Sequence, residues 1–298
     1  QIPDAMKNFS IKYILIIILS LVGLIFVANI FKNIYTEYLW FNHLNYEDIY
    51  FKILTTKFYL FLGSFFISLL FLSISTYFAF KNSWKGVQFD LPEPFNLLGP
   101  KLYKSIIVSL VILTSIVLGL MTSYNWELFL RFFNSSTFAI NDPIFNRDIS
   151  FYIFDFPIFT FIQKGLLIIS ILSMIYSLAI IFINSVFAGL EFSENTIMKK
   201  QMIINFSIII LLFSIGILFS RWDILFSETG VVYGAGYTDV NIKKNTLFFM
   251  SVLGFVLSVL VLFSFKYSLT RFVYIPTVAW VVLYIISVVI WPSVTQRL

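Results

Sequence analysis

Seven stretches of this chain are long and apolar enough to cross a bilayer as helices, and this constrains the fold more than any other feature. A helical crossing of the hydrocarbon core takes about 20 apolar residues. The stretches lie at about Ile11–Phe31, Phe58–Phe80, Ser105–Tyr124, Gly165–Phe187, Met202–Phe219, Leu247–Phe265 and Phe272–Ile290. They are too long and too evenly apolar for the alternating strands of a barrel. In hydrocarbon the backbone must pair internally, so the stretches predict helices. The expected fold is all-α: a single polytopic domain over residues 1–298 with seven transmembrane helices. Composition agrees, because only 12% of residues are charged, about half the share in soluble domains. A soluble globular protein and a disordered chain are both excluded.

The first stretch has a basic flank, Lys7 and Lys12, as a signal peptide would. Its apolar core is too long and no small-residue cleavage site follows, so it reads as a signal anchor. Seven crossings put the termini on opposite sides. Basic residues number ten on each side, but on the N-terminal side they sit in shorter loops. Short loops are where the positive-inside bias acts, so the N-terminus is expected in the cytoplasm and the C-terminus outside. The expected location is a cell membrane, crossed several times. Trp84, Trp126, Trp222 and Trp291 fall near predicted ends, at headgroup level. Trp280 is the one tryptophan deep in a stretch and is expected to face a neighbouring helix.

The loops expected outside are long and rich in aromatics. In Lys32–Lys57, Tyr35, Tyr38, Leu39, Tyr46, Ile49, Tyr50 and Ile53 recur at helical steps. They predict two short interfacial amphipathic helices broken near Asn42–Asn45. Asn125–Lys164 opens on Trp-Glu-Leu-Phe-Leu-Arg-Phe-Phe, another interfacial helix. It continues through a turn at Asn141-Asp142-Pro143; Asp148 is placed to N-cap a short helix and Pro157 to open the next. In Ser220–Thr246 the glycines of Gly-Val-Val-Tyr-Gly-Ala-Gly-Tyr predict a tight turn or short hairpin. The inner loop Lys81–Lys104, with Pro92, Pro94, Gly99 and Pro100, reads as an extended connection.

Three of these loop motifs resemble a known family. They are Glu37-Tyr38-Leu39-Trp40-Phe41 with Leu44-Asn45-Tyr46; Asp142-Pro143-Ile144-Phe145 through Asp148 to Pro157; and Arg221-Trp222-Asp223-Ile224-Leu225-Phe226-Ser227-Glu228 running into Gly234-Ala235-Gly236-Tyr237-Thr238-Asp239-Val240. The likeness is to uncharacterised protein family 0182 of prokaryotic integral membrane proteins. It implies seven N-terminal crossings followed by a large extracytoplasmic domain. Trp291-Pro292 and Gln296-Arg297 resemble the junction into that domain, so the chain is expected to be the membrane domain of a longer protein. The resemblance implies architecture and no catalytic residue. Asn45 stands where Gly would be expected, and Asn tolerates similar backbone geometry.

Chemistry is sparse. The chain has no cysteine and one histidine, His43, which excludes disulfides, thiolate sites and a His-rich metal centre. No ionisable residue lies near the centre of a stretch, so the usual proton-relay signature is missing. Asn29, Asn184 and Asn205 are expected to hydrogen-bond between helices or sit at the interface. Ser115, Gly119 and Ser123 form a small-residue stripe, and Gly216/Ser220 and Gly254/Ser258 repeat the spacing, as close helix packing requires. Gly234-Ala235-Gly236 lacks the context of a nucleotide loop and reads as a turn. The candidates for an outer functional surface are Trp40, Asp142, Asp148, Asp223, Glu228, Tyr237 and Asp239. Against a catalytic or cation-binding role for the acids stands the plainer one of caps, turns and pairs with Arg131, Arg147 and Arg221. No catalytic residue, metal ligand or cofactor site is expected. The favoured function is a membrane anchor orienting an extracytoplasmic domain. The alternatives are a transporter or channel for lipid or envelope material, and an envelope enzyme using the outer carboxylates. The expected partners are the lipid bilayer, the chain's own extracytoplasmic domain, and a second copy or another envelope protein, with no nucleic acid.

Overall fold

The computed structural model describes residues 4–83, 95–188, 196–228, 233–267 and 271–291. Eight α-helices account for most of them: α1 Asp4–His43, α2 Glu47–Ser83, α3 Phe95–Tyr124, α4 Trp126–Phe133, α5 Phe156–Ala188, α6 Thr196–Asp223, α7 Lys244–Tyr267 and α8 Arg271–Tyr284. Among the described residues there is no β-strand, only an isolated bridge between Asn141 and Asp148. The fold is all-α and polytopic. Six helical segments are long and apolar enough to cross a membrane. The seventh predicted crossing is a shorter apolar helix, Val273–Val288, in which α8 runs on into a π-helical turn, Ile285–Ile290.

The chain forms two compact units, Gln1–Tyr59 and Leu60–Leu298. In the first, the loop predicted to hold two separate interfacial helices is helical on either side of a turn at residues 44–46, and each half is continuous with a long apolar helix. The 40-residue α1 runs to His43, and α2 starts at Glu47. Nothing between Lys32 and His43 is a proline or a glycine, so nothing in the sequence stops α1 earlier. The break comes at Asn45, in the left-handed region at φ 61°. The Tyr46 amide donates to Phe41 O at 2.9 Å and the Asn45 amide to Asn42 O at 3.0 Å. This is a Schellman closure with Asn in the position usually held by Gly. Tyr50, buried, clasps the hairpin: its hydroxyl donates to Ile34 O at 2.8 Å, and its ring meets Tyr38 and Phe41.

In the second unit small and polar residues set how closely the helices approach. A Cβ on Gly119 would lie 2.9 Å from the Phe61 ring and 3.1 Å from its carbonyl oxygen, so α3 meets the α2 backbone there. A Cβ on Gly216 would lie 2.9 Å from Gln163 Nε2, and one on Gly254 2.6 Å from Trp280 Cζ2. Ser115 is fully buried and Ser123 half-buried. Side chains also bond across helices. Gln163 donates to Leu212 O at 2.7 Å, Ser207 to Ser258 O at 2.8 Å, and the Trp280 indole to Met250 O at 3.0 Å. Ser75 meets Ser177 at 2.8 Å, Gln201 Nε2 donates to Ser75 O at 2.8 Å, and Asn205 donates to Ser75 Oγ at 3.4 Å. In hydrocarbon such bonds hold helices in register, because the hydrophobic effect supplies little attraction between helices. The main apolar core lies among α6, α7 and α8, around Ile217, Leu247, Leu257, Val261 and Trp280.

The inner connection is shorter than predicted. Helix α3 already begins at Phe95 and takes in Gly99 and Pro100. Within a helix's second turn a proline loses one backbone bond, here to Asn96. Pro92 and Pro94 lie outside the described residues.

Candidate functional site

The second unit has two ends with different chemistry. One carries Lys81, Lys101 and Lys104; the other carries segment 134–150 and the junction between α6 and α7. Most of the candidate residues lie at this second end.

Segment 134–150 is organised by two aspartates. Asp142, buried, accepts from the Ile144 amide at 3.0 Å, the Phe145 amide at 2.7 Å and the Tyr152 hydroxyl at 3.0 Å. Its own amide donates to Arg147 O at 2.8 Å. Pro143 fits the first position of the resulting turn, since its fixed φ suits it and no N–H is needed there. Asp148 closes the other side. It caps the following helix by accepting from the Ser150 amide at 2.8 Å, and it also accepts from Ala139 at 2.8 Å and Phe138 at 3.2 Å. Hydrogen bonds from Ser150, its hydroxyl foremost, hold this carboxyl below its ordinary pKa. Ala139 and Asn146 both adopt left-handed backbone, at φ 57° and 53°. The helix predicted to end before Pro157 instead continues into α5 through a π-helical turn, Phe151–Asp155. The wide turn frees α5 from the clash a proline ring makes with the carbonyl four residues back.

The expected pairs between these acids and the arginines are absent among the described residues. Arg131 pairs with Glu127, one turn away on α4. The guanidinium of Arg147 lies 4.4 Å from the centre of the Phe151 ring and 5.0 Å from that of Trp222. Arg221 lies 4.9 Å from Phe248 and 5.9 Å from Phe145, and the Lys244 ammonium also lies 5.9 Å from Phe145. A cation over a desolvated ring face gains about as much as an exposed ion pair, or more. Phe151, Phe156, Phe219 and Trp222 complete the cluster through edge-on and stacked ring contacts. Segment 134–150 is thereby fastened to the ends of α5, α6 and α7. The sequence places Trp222 at headgroup level but does not show that two arginines join this cluster. One contact had a local signal, Arg147 four residues before Phe151; the rings around Arg221 come from distant positions.

The remaining acids fall at the α6–α7 junction. Asp239, buried, accepts from the Gly236 amide at 3.1 Å and pairs with Lys243 at 3.6 Å. The first bond is half of a capping box, and Gly236 leads the helix. Asp223 and Glu228 line one pocket of about 350 Å³ together with Lys243, Ser220, Ser227 and Tyr284. Gly234, at φ 122°, makes the turn, with its amide donating to Ser227 O at 2.9 Å. Part of the predicted hairpin, 229–232, lies outside the described residues. Tyr237 is 84% exposed and makes no ring contact among the described residues. Trp40, in the first unit, is exposed and lies edge-on to Phe41. No group of three His, Asp or Glu side chains placed to hold a metal occurs among the described residues.

Curated relatives share this sequence over most of its length. A UPF0182 protein of Clostridium novyi (strain NT) is 30% identical over 292 residues, covering 92% of this chain and 31% of that protein. One from Trichodesmium erythraeum (strain IMS101) is 29% identical over 87% of this chain and 28% of its own length. One from Thermobifida fusca (strain YX) is 25% identical over 79% and 24%. The chain thus spans about a quarter to a third of the length of the curated relatives it matches. No solved structure matches it. One family description matches residues 14–298, nearly everything described above, and the chain belongs to that family, the uncharacterised protein family UPF0182.

Proposed function

We propose that the chain is the membrane anchor of a longer protein, and that the end carrying segment 134–150 is a firm seat for the rest of it, on the extracytoplasmic side. One observation carries this reading. Asp142, Asp148, Arg147 and Arg221 fasten a 17-residue connecting segment to three helix ends, where a passive connection would need none of those contacts. Connections of that length without regular structure are uncommon unless they serve a purpose. The relatives' greater length supplies something to seat. The three lysines at the opposite end support an N-terminus in the cytoplasm.

The test uses a full-length family member with any cysteines of its own replaced and single cysteines at the positions of Lys101 and Tyr237; the region given by this chain has none to replace. A membrane-impermeant thiol reagent should label the Tyr237 position from outside intact cells and the Lys101 position only after permeabilisation. Labelling at Ile140, 60% exposed in this chain, should slow by at least about tenfold when the rest of the protein is present. Labelling of both ends from one side, or an unchanged rate at Ile140, contradicts the proposal.

The pocket shared by Asp223 and Glu228 favours a second reading, an envelope enzyme in which one carboxylate acts as acid and the other as base. Replacing both with their amides would abolish such an activity and leave seating intact.

A further inference from the structure

A groove of about 680 Å³ opens between α2 and α3 at the lysine end. One wall is Leu69, Ser73, Thr76 and Phe80; the other is Val108, Val111 and Ile112. Both sets recur at three- and four-residue steps, so each is a single helix face. Lys81, Lys101 and Lys104 stand at the mouth. Among the described residues no carboxylate lines the groove and none pairs with these lysines. The Lys81 ammonium lies 5.8 Å from the centre of the Tyr77 ring. From Lys101 to Ile112 the groove runs about 16 Å along α3, at 1.5 Å per residue. That is about half of a hydrocarbon core roughly 30 Å thick, the depth of one leaflet.

We propose that this groove is a binding site for an anionic phospholipid, with an acyl chain between α2 and α3 and the phosphate held by Lys101, Lys104 and Lys81. The charge selects the occupant. A transmembrane helix from a second copy would need an apolar face through both leaflets and would set its own lysines against these three. A zwitterionic lipid would fill the apolar part equally well but gain less at the mouth. Three ammonium groups at the interface favour an anionic headgroup, as basic pockets between membrane helices generally do. The mouth lies in the lysine-rich side of the chain, which on the proposed orientation faces the cytoplasmic leaflet, but the site itself rests on the groove and its charges alone.

The experiment is native mass spectrometry of the full chain released from bilayers of phosphatidylglycerol and phosphatidylcholine in equal amounts. One phosphatidylglycerol should be retained in preference to phosphatidylcholine by on the order of tenfold. Lys101→Gln with Lys104→Gln should bring the ratio near one. Ser73→Trp, which fills the groove and keeps the lysines, should lower retention of both lipids. Inorganic phosphate at millimolar concentration should leave the retained lipid in place. On the unaltered chain, raising salt from about 50 to 500 mM before release should lower the ratio, a readout independent of how any variant folds. Equal retention of the two lipids, displacement by phosphate alone, an unchanged ratio in the double variant, or a dimer cross-linked through Ser73→Cys would each overturn the proposal.

Discussion

Replacing Asp142 with alanine should loosen segment 134–150 while leaving the helices intact. The carboxylate is 8% exposed and accepts three hydrogen bonds, from the Ile144 and Phe145 amides and the Tyr152 hydroxyl. Hydrogen bonds to a charged acceptor contribute about 1.5–3 kcal/mol each, and a buried donor left unpaired costs about 1–3 kcal/mol. The three share one acceptor, so their losses do not add. About 3–5 kcal/mol of local stability is the expected cost, the range for breaking a buried charged network. Local opening of the segment should then become more frequent by a factor on the order of one hundred to several thousand. Tyr152→Phe removes one of the three donors together with its own polar atom and should cost only about 1 kcal/mol. The assay is hydrogen exchange of the protein in lipid, read at the Ile144 and Phe145 amides. Amides in the middle of α6 serve as the internal standard. If Asp142→Ala raises exchange at Ile144 and Phe145 by less than about fivefold, the carboxylate does not organise this segment. An equal rise in α6 would mean that the whole chain was disturbed, which the geometry does not predict.

The remaining predictions concern single positions. Ala139 sits at φ 57°, which costs a residue with a Cβ about 1–2 kcal/mol, so Ala139→Gly should slow exchange in segment 134–150. Gly119→Val should weaken the α2–α3 contact by about 1–3 kcal/mol, because the new side chain meets the Phe61 ring and carbonyl; thermal unfolding in lipid reads this. Asp148 has a lowered pKa, so its stabilising effect is fully present above its unfolded value near 3.9 and is lost as pH falls through the folded value. Protection of the Phe138 and Ala139 amides should be flat from about pH 8 to 4 and drop below that, and Asp148→Asn should remove the drop. Asn45→Gly should leave the α1–α2 turn unchanged or slightly firmer, whereas Asn45→Val should cost about 1–2 kcal/mol.

The helices were legible because the demands of a bilayer are simple. Length and apolarity located six long apolar helices and a shorter seventh, and the left-handed turn at Asn45 was readable from an Asn where the chain had to reverse. The extent of α1 and α2 was not, because the amphipathic spacing of an interfacial helix is the same as that of a crossing that simply continues. The π-helical turn before Pro157 was hidden for a related reason: a proline marks where a helix starts or distorts, and spacing alone does not say which. At the candidate site the cap at Asp148 and the turn at Asp142-Pro143 were visible in residue type. The cages around Arg147 and Arg221 were not, since they join residues up to 103 positions apart, Phe145 to Phe248, through folding that no local pattern records. The groove with its lysines was equally out of reach. Its two walls are periodic in the sequence, but only the packing of α2 against α3 shows that they face one another.

The seating of a further domain is tested most directly by splitting a full-length family member. The region corresponding to this chain and the rest of the protein would be produced as separate polypeptides in one cell, and the membrane region purified in mild detergent. The account predicts that the remainder co-purifies at a stoichiometry near one to one. It also predicts that Asp142→Ala or Arg147→Ala in the membrane region sharply lowers the yield of the remainder without altering the amount of membrane region recovered. A remainder that is released as a soluble protein from the unaltered membrane region, or that is retained equally by both variants, would contradict it.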